Sequence, residues 1–213
     1  MLACPVLAAV LAAMTAFTPA VGGAAEAGGA QGSTKAPSME AKLRAGCILV
    51  ATSNITTPPF ARSVVLITNY GPQGALGVIL NRPLKLSLGD ALPDIKSLRG
   101  ASQRLFYGGP VSGNVLTLLT ESREDLEKAD GATRVFGDLF FVANKKIINR
   151  ALKSENQPSR GFAGYAGWMA GQLENELSRG DWNVEYADHK AIFSSDPERL
   201  WEKYQPAGGD DWT

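Results

Sequence analysis

The sequence has very little histidine or cysteine, and this limits the chemistry it can perform. His189 is the single histidine, which excludes a metal site built mainly from imidazole ligands. The two cysteines are Cys4 and Cys47. Loss of the segment that carries Cys4 would leave Cys47 without a partner for an intramolecular disulfide. Cys47 opens an apolar strand, which favours a small buried residue over a reactive thiol.

The chain also lacks an excess of charge of either sign. Lys plus Arg and Asp plus Glu both number 21 in 213 residues. A neutral chain gives no overall attraction to nucleic acid or anionic lipid, so we do not expect nucleic acid to be its ligand. Hydrophobic residues make up 45% of the sequence, which is enough to bury the core of one domain.

No hydrophobic run near the N-terminus is long enough to span a bilayer. The apolar run at residues 6–17 is too short, so we expect no transmembrane segment in the mature chain. The first 25 residues carry no charged side chain, and small residues follow in the pattern that signal peptidase recognises. We therefore predict that residues 1–25 are a signal peptide and that the protein is exported to the periplasm. The alternative is a cytoplasmic protein that starts near Met39, because no Lys or Arg precedes the apolar run.

The remaining sequence divides into a linker, a domain and a tail. Residues 26–41 are rich in small residues and lack apolar periodicity, which predicts a flexible linker. Residues 42–205 alternate apolar segments with turns and form the predicted domain, followed by a loose tail at 206–213. Within the domain we expect one strand at residues 135–142, a short strand at 192–193 and a last helix that starts at 195–198.

An apolar β-hairpin forms the centre of the predicted core. Residues 64–68 and 75–80 are two apolar, largely β-branched strands joined by a Gly-Pro-Gln-Gly turn. Because both strands are apolar throughout, we expect other parts of the protein to cover both faces. The expected buried residues are Val64, Leu66, Val78, Leu80, Phe106, Leu118, Tyr165, Trp168 and Leu173.

Three polar residues flank this hairpin and form the candidate ligand site. Arg62 precedes the first strand, and Asn81 and Arg82 follow the second, so antiparallel pairing brings them to the same open end. Two guanidinium groups beside an amide would suit a carboxylate or phosphate. Gln172 is a fourth candidate, placed beside a glycine-rich segment.

A purely structural role for these residues is the alternative. Arg82 could pair with Asp90 or Asp94, and Asn81 could cap the turn before Pro83 through its side chain. We assign no catalytic residue, because Ser63 has no evident base unless His189 reaches it.

Neither a cofactor nor a metal site is predicted. The glycines at 161, 164 and 167 have G-x-x-G-x-x-G spacing, which differs from a dinucleotide-binding fingerprint. The Gly108-Gly109-Pro110 segment favours a tight corner over a ligand cradle.

A series of ordered motifs resembles the YqgE/AlgH family across residues 43–204. The motifs are G-C-I-L-V-A, F-A-R-S-V-V-L-I, G-A-L-G-V-I-L-N-R-P, Y-G-G-P-V and G-Y-A-G-W-x-x-G-Q-L-E-x-E-L. The resemblance implies a single compact α+β domain with a strongly bent, mixed or antiparallel sheet and several short helices. Tyr70 and Thr120 stand where the family often has histidine, so a site that depends on those histidines is absent.

The resemblance implies little about function, because the family is uncharacterised and its name reflects a proposed regulatory link to alginate synthesis. We predict a non-enzymatic binding or regulatory module whose partner is an unknown protein or a small polar ligand. One alternative is a hydrolase-like small-molecule enzyme that uses the cluster near Arg62, Asn81 and Arg82. A second is the transcriptional regulator that the family name implies.

Overall fold

The computed structural model describes residues 43–93, 95, 98, 103–122, 126, 127, 129–152 and 157–205. The predicted signal peptide, the predicted linker, residue 42 and the predicted tail at 206–213 lie outside these residues. None of the helices in the described ranges is long and apolar enough to cross a membrane.

The described residues form ten strands with short helices between them. The strands are β1 Cys47–Ala51, β2 Val64–Gly71, β3 Gly74–Ile79, β4 Pro83–Ser87, β5 Arg104–Tyr107, β6 Val111–Glu121, β7 Ala132–Phe136, β8 Leu139–Val142, β9 Ser159–Met169 and β10 Trp182–Tyr186. The helices are α1 Leu88–Ala91, α2 Lys145–Ala151, α3 Gln172–Ser178, α4 His189–Ile192 and α5 Leu200–Lys203.

The strands form one sheet in which the long strand β9 is central. The order is β10-β1-β2-β3-β9-β6-β8-β7, and β5 joins β4 to β9 beside this path. The pairing of β5 with β9 is parallel, whereas the other pairings are antiparallel. The coarse expectation of a single, mainly antiparallel domain with a few short helices is therefore confirmed.

The hairpin β2–β3 is covered on both faces, as its continuous apolar character predicted. Leu66 and Val78 pack with Phe141 from β8 on one face. Val65 and Ile67 pack with Leu173 from α3 on the other. Of the expected core residues, all are buried except Tyr165, which is half-buried against the core. Because each large apolar side chain contributes about 1.5–3 kcal/mol on burial, this two-sided packing makes a large contribution to the stability of the domain.

The glycine corner after β5 is required by backbone packing. A Cβ at Gly108 would clash with the carbonyl oxygen of Gly164 on β9, and Gly109 has a φ of 151°. Glycine is the residue that tolerates both conditions. The structure therefore confirms the preference for a tight corner at this position.

Three local expectations were wrong. Residues 135–142 form the hairpin β7–β8 around Gly137, which has a φ of 49°. The expected strand at 192–193 is replaced by α4, because Asp188 caps a helix by accepting a hydrogen bond from the amide of Ala191 at 2.6 Å. The last helix, α5, starts at Leu200, later than expected.

Candidate functional site

The open end of the hairpin brings Arg62, Asn81 and Arg82 together, as the sequence predicted. Asn81 is 2% exposed and bridges the two strands with its side-chain amide. Its Oδ1 accepts a hydrogen bond from the amide of Val64 at 2.9 Å, and its Nδ2 donates to the carbonyl of Arg62 at 2.9 Å. The side chain therefore takes the place of a peptide group where the ladder between β2 and β3 ends.

Arg82 fastens the loop that precedes β2. Its Nη2 donates to the carbonyls of Ala61 at 2.5 Å and Arg62 at 3.2 Å, and its Nη1 donates to the carbonyl of Asn81 at 3.2 Å. Burial, with a smaller contribution from the charge of Arg62, lowers the pKa of the Arg82 guanidinium. These bonds give Arg82 a structural role whatever it binds.

Asp90, one of the two acidic residues considered as a partner for Arg82, makes its side-chain hydrogen bonds elsewhere. Asp90 instead forms a capping box with Ser87 at the start of α1, and its carboxylate accepts the Ser87 hydroxyl at 2.6 Å. This hydrogen bond lowers the pKa of Asp90. Asp94, the other proposed partner, lies outside the described residues. Backbone carbonyls satisfy the guanidinium of Arg82 in place of a carboxylate.

Arg62 is the most exposed of the three residues. Its backbone is left-handed, with a φ of 55°. Its Nη2 lies 2.8 Å from Oε1 of Glu202, and the guanidinium lies 4.7 Å from the centre of the Trp201 ring. The Arg62 side chain is 64% exposed, so this pair on α5 contributes at most about 1 kcal/mol to stability. The charged end of Arg62 faces solvent and can reach a partner.

Gln172 lies away from these residues. It opens α3 just after Met169, and Met169 pairs with Gly74 at the turn end of the hairpin. Its Oε1 accepts the amide of Met169 at 3.1 Å, and its Nε2 donates to Oε1 of Glu176 at 3.0 Å. The four predicted site residues therefore occupy the two opposite ends of the hairpin.

The carboxylate held by Gln172 is part of an aromatic cluster. Oε2 of Glu176 accepts hydrogen bonds from the indole nitrogens of Trp168 at 2.8 Å and Trp182 at 2.9 Å. Phe60 packs against both indoles, with ring centres 6.2 Å and 5.8 Å away. This arrangement ties α3 to the sheet and orients Gln172.

The groups best suited to nucleophilic chemistry are not paired with one another. Ser63 is fully buried, and its Oγ has no hydrogen-bond partner. Nε2 of His189 lies 2.8 Å from Oε1 of Glu121, and His189 and Ser63 are not hydrogen-bonded to each other. Cys47 is fully buried, and burial raises the pKa of its thiol, which confirms the prediction of a small buried residue.

In the part of the chain that the structure describes, no three His, Cys, Asp or Glu side chains lie together in a group that could hold a metal ion.

A cleft that sequence reasoning missed lies beside the start of β9. Its volume is about 650 Å³. It lies between the starts of β5 and β9, the segment after α2 and the loop after α4. The lining residues are Leu98, Gln103, Arg104, Phe106, Leu152, Gln157, Pro158, Ser159, Arg160, Phe193, Ser194, Ser195 and Pro197.

Arg160 is the buried charge of this cleft. It is 8% exposed, its guanidinium lies 4.3 Å from the centre of the Phe106 ring, and its Nη2 donates to the carbonyl of Ser194 at 2.8 Å. Its Nη1 is buried and has no hydrogen-bond partner among the described residues. Burial lowers the pKa of Arg160 to about 10, so the side chain remains charged at neutral pH. The sequence signal for this site is an arginine at the start of the mainly apolar β9.

Comparison with known sequences identifies relatives over most of the chain. A family model described as DUF179, AlgH-like, matches residues 48–212. A UPF0301 protein of Chlorobium phaeobacteroides is 37% identical over 165 residues, which cover 76% of this chain and 85% of the relative. A UPF0301 protein of Streptomyces coelicolor is 38% identical over 164 residues, which cover 74% of this chain and 83% of the relative.

Two solved structures have a similar fold. The solution structure of the AlgH protein from Pseudomonas aeruginosa matches with a TM-score of 0.58 at 29% identity, covering 74% of this chain and 85% of that one. A crystal structure of a protein from Corynebacterium diphtheriae matches with a TM-score of 0.63 at 27% identity, covering 78% of this chain and 89% of that one.

Proposed function

This chain belongs to the AlgH-like family, and we propose that it acts as a binding module whose ligand occupies the cleft beside Arg160. The observation that carries the proposal is the cleft of about 650 Å³ with a buried guanidinium at its wall. Sites for small molecules commonly measure about 300–1,000 Å³ and contain a few well-placed polar groups. A strongly bent sheet, which the family resemblance implies, is also part of this proposal.

Binding is favoured over hydrolysis by the geometry at the open end of the hairpin. The hydrolase-like alternative depends on the cluster of Arg62, Asn81 and Arg82. The side chains of Asn81 and Arg82 are hydrogen-bonded to backbone groups, so they are not available to act on a substrate. Ser63 has no base bonded to it. Arg62 remains a predicted contact for a partner because its side chain is exposed. A transcriptional role rests on the family name alone.

Export is part of the proposal. The uncharged apolar segment at residues 6–17 and the small residues after it support cleavage of a leader. N-terminal sequencing of the protein from its native host should therefore find a start after residue 25. An intact mass that begins at Met1 or Met39, together with a cytosolic location, would contradict export.

A fragment screen of the full chain followed by two-dimensional NMR tests the use of the cleft. Fragments that bind should perturb amide signals of Phe193, Ser194 and Gln103, which line the cleft. Ser195→Trp places a large side chain at an exposed position of the lining and should abolish these shifts. Ser178→Trp, at an exposed position on α3, is the matched control and should leave them unchanged. Perturbations concentrated away from the cleft in every hit would refute the proposal.

A further inference from the structure

Among the residues that the structure describes, no carboxylate pairs with the buried charge of Arg160. Buried guanidinium groups are usually paired with a carboxylate, because removing an ion from water costs several kcal/mol. The neighbouring Arg104 has such a partner, with its Nη1 3.5 Å from Oε1 of Glu198. Arg160 has a carbonyl, from Ser194, and the face of Phe106.

One of the two terminal nitrogens of the Arg160 guanidinium makes no hydrogen bond to the described residues. The guanidinium presents parallel N–H groups that match the two oxygens of a carboxylate or phosphate. Nη2 is bonded to Ser194, and the ring of Phe106 supports the flat face, whereas Nη1 has no partner. Because Nη1 is withdrawn from water, a bond from it to an anion would face little competition from solvent. Arg160 lines the cleft, so a rotation of its guanidinium is the movement that would bring the buried Nη1 to a bound group.

We propose that the cleft binds a small molecule through a carboxylate or phosphate group that pairs with Arg160. This inference rests on the proposed use of the cleft as a ligand site and adds the chemical class of the ligand. Arg104 at the cleft wall adds positive charge that would attract the same anion, although Glu198 partly offsets it. Phe193 and Leu152 offer apolar contacts to the remainder of the molecule.

The test compares ligands that differ in charge but hardly in shape. Benzoate, benzamide and inorganic phosphate are titrated separately into the full chain, and the amide signals of Phe193 and Ser194 are followed by NMR. Benzoate or phosphate should produce saturable shifts that weaken with added salt. Benzamide should bind at least tenfold more weakly than benzoate.

Two variants assign the effect to Arg160. Arg160→Gln should weaken binding of the anion at least tenfold, and Arg160→Lys should recover part of it because the charge returns without the planar fork. Arg44→Gln is the matched control, since Arg44 also stacks on an aromatic ring, 5.0 Å from the centre of Tyr186, but does not line the cleft. It should bind the anion as the unaltered protein does.

The outcomes separate this inference from the proposed function. Equal binding of benzoate and benzamide in the cleft would overturn recognition of an anion and leave the cleft as a ligand site. Failure of all three probes to perturb the cleft, together with a fragment screen that finds no hits there, would overturn both. The comparison of benzoate with benzamide uses the unaltered protein, so it decides the question even if a variant of Arg160 does not fold.

Discussion

Replacing Asn81 with alanine should destabilise the domain, because the side chain of Asn81 satisfies two backbone groups at the end of the central hairpin. Val64, whose amide bonds to Oδ1 of Asn81, is fully buried, so water cannot replace the lost acceptor. An unsatisfied buried donor or acceptor costs about 1–3 kcal/mol. The carbonyl of Arg62 loses the Asn81 donor but keeps Nη2 of Arg82 at 3.2 Å. The full loss at the Val64 amide and the partial loss at the Arg62 carbonyl together should lower the free energy of unfolding by about 2–4 kcal/mol.

Urea unfolding followed by circular dichroism measures this change. The transition midpoint of Asn81→Ala should fall without a large change in the denaturant slope, since the surface exposed on unfolding stays the same. Asn183→Ala, at an exposed position on β10, is the control and should remain within about 0.5 kcal/mol of the unaltered protein. A loss below about 1 kcal/mol for Asn81→Ala would refute the view that this amide replaces strand pairing.

The two arginines at the open end of the hairpin should differ in their effect on stability. Arg82→Gln should lower the free energy of unfolding by about 1–3 kcal/mol, because Arg82 bonds to backbone carbonyls. Arg62→Gln should lower it by less than about 1 kcal/mol, because the Arg62–Glu202 pair is exposed. If the double variant instead keeps its stability and loses a co-purifying partner, the residues form a binding site. Cys47 should react with a disulfide reagent only on unfolding, because burial raises its pKa, and rapid reaction of the native protein would contradict this. Leu66→Ala and Leu173→Ala should each cost about 2–5 kcal/mol, and an unchanged melting temperature would show that the assigned faces are wrong.

The parts of the fold that could be predicted are those whose cause lies in adjacent residues. Continuous apolar runs gave the positions of β1, β2 and β3, because a strand covered on both faces has few polar positions. The meeting of Arg62 with Asn81 and Arg82 followed from antiparallel geometry across one short turn. Burial of Cys47 followed in the same way from its place in an apolar strand.

The parts that could not be predicted depend on partners distant in the chain. Strand β4 begins at Pro83 and pairs with β5. Its Leu84 and Leu86 alternate with polar residues, but the segment has only five residues and opens with a proline, so the pattern is too short to indicate a strand. The carbonyls that bind Arg82 have no signature in the sequence, since every residue carries one. The pair Ile192 and Phe193 has strand character, but the cap from Asp188 makes that segment helical.

The position of Arg160 at the start of an apolar strand can be read from the sequence, but its contacts with Phe106 and Ser194 come from distant parts of the chain. The free energy of burying its charge explains why a bound anion would be favourable there. Burial lowers the pKa of Arg160 to about 10, which corresponds to about 3 kcal/mol of unfavourable burial of the charged form. The bond to the carbonyl of Ser194 returns about 1.5–3 kcal/mol, and the contact with Phe106 returns up to about 2 kcal/mol. These contributions nearly cancel, so the fold tolerates the charge without depending on it. Arg160→Met should therefore leave stability almost unchanged while removing anion binding, whereas a purely structural arginine would give the reverse result.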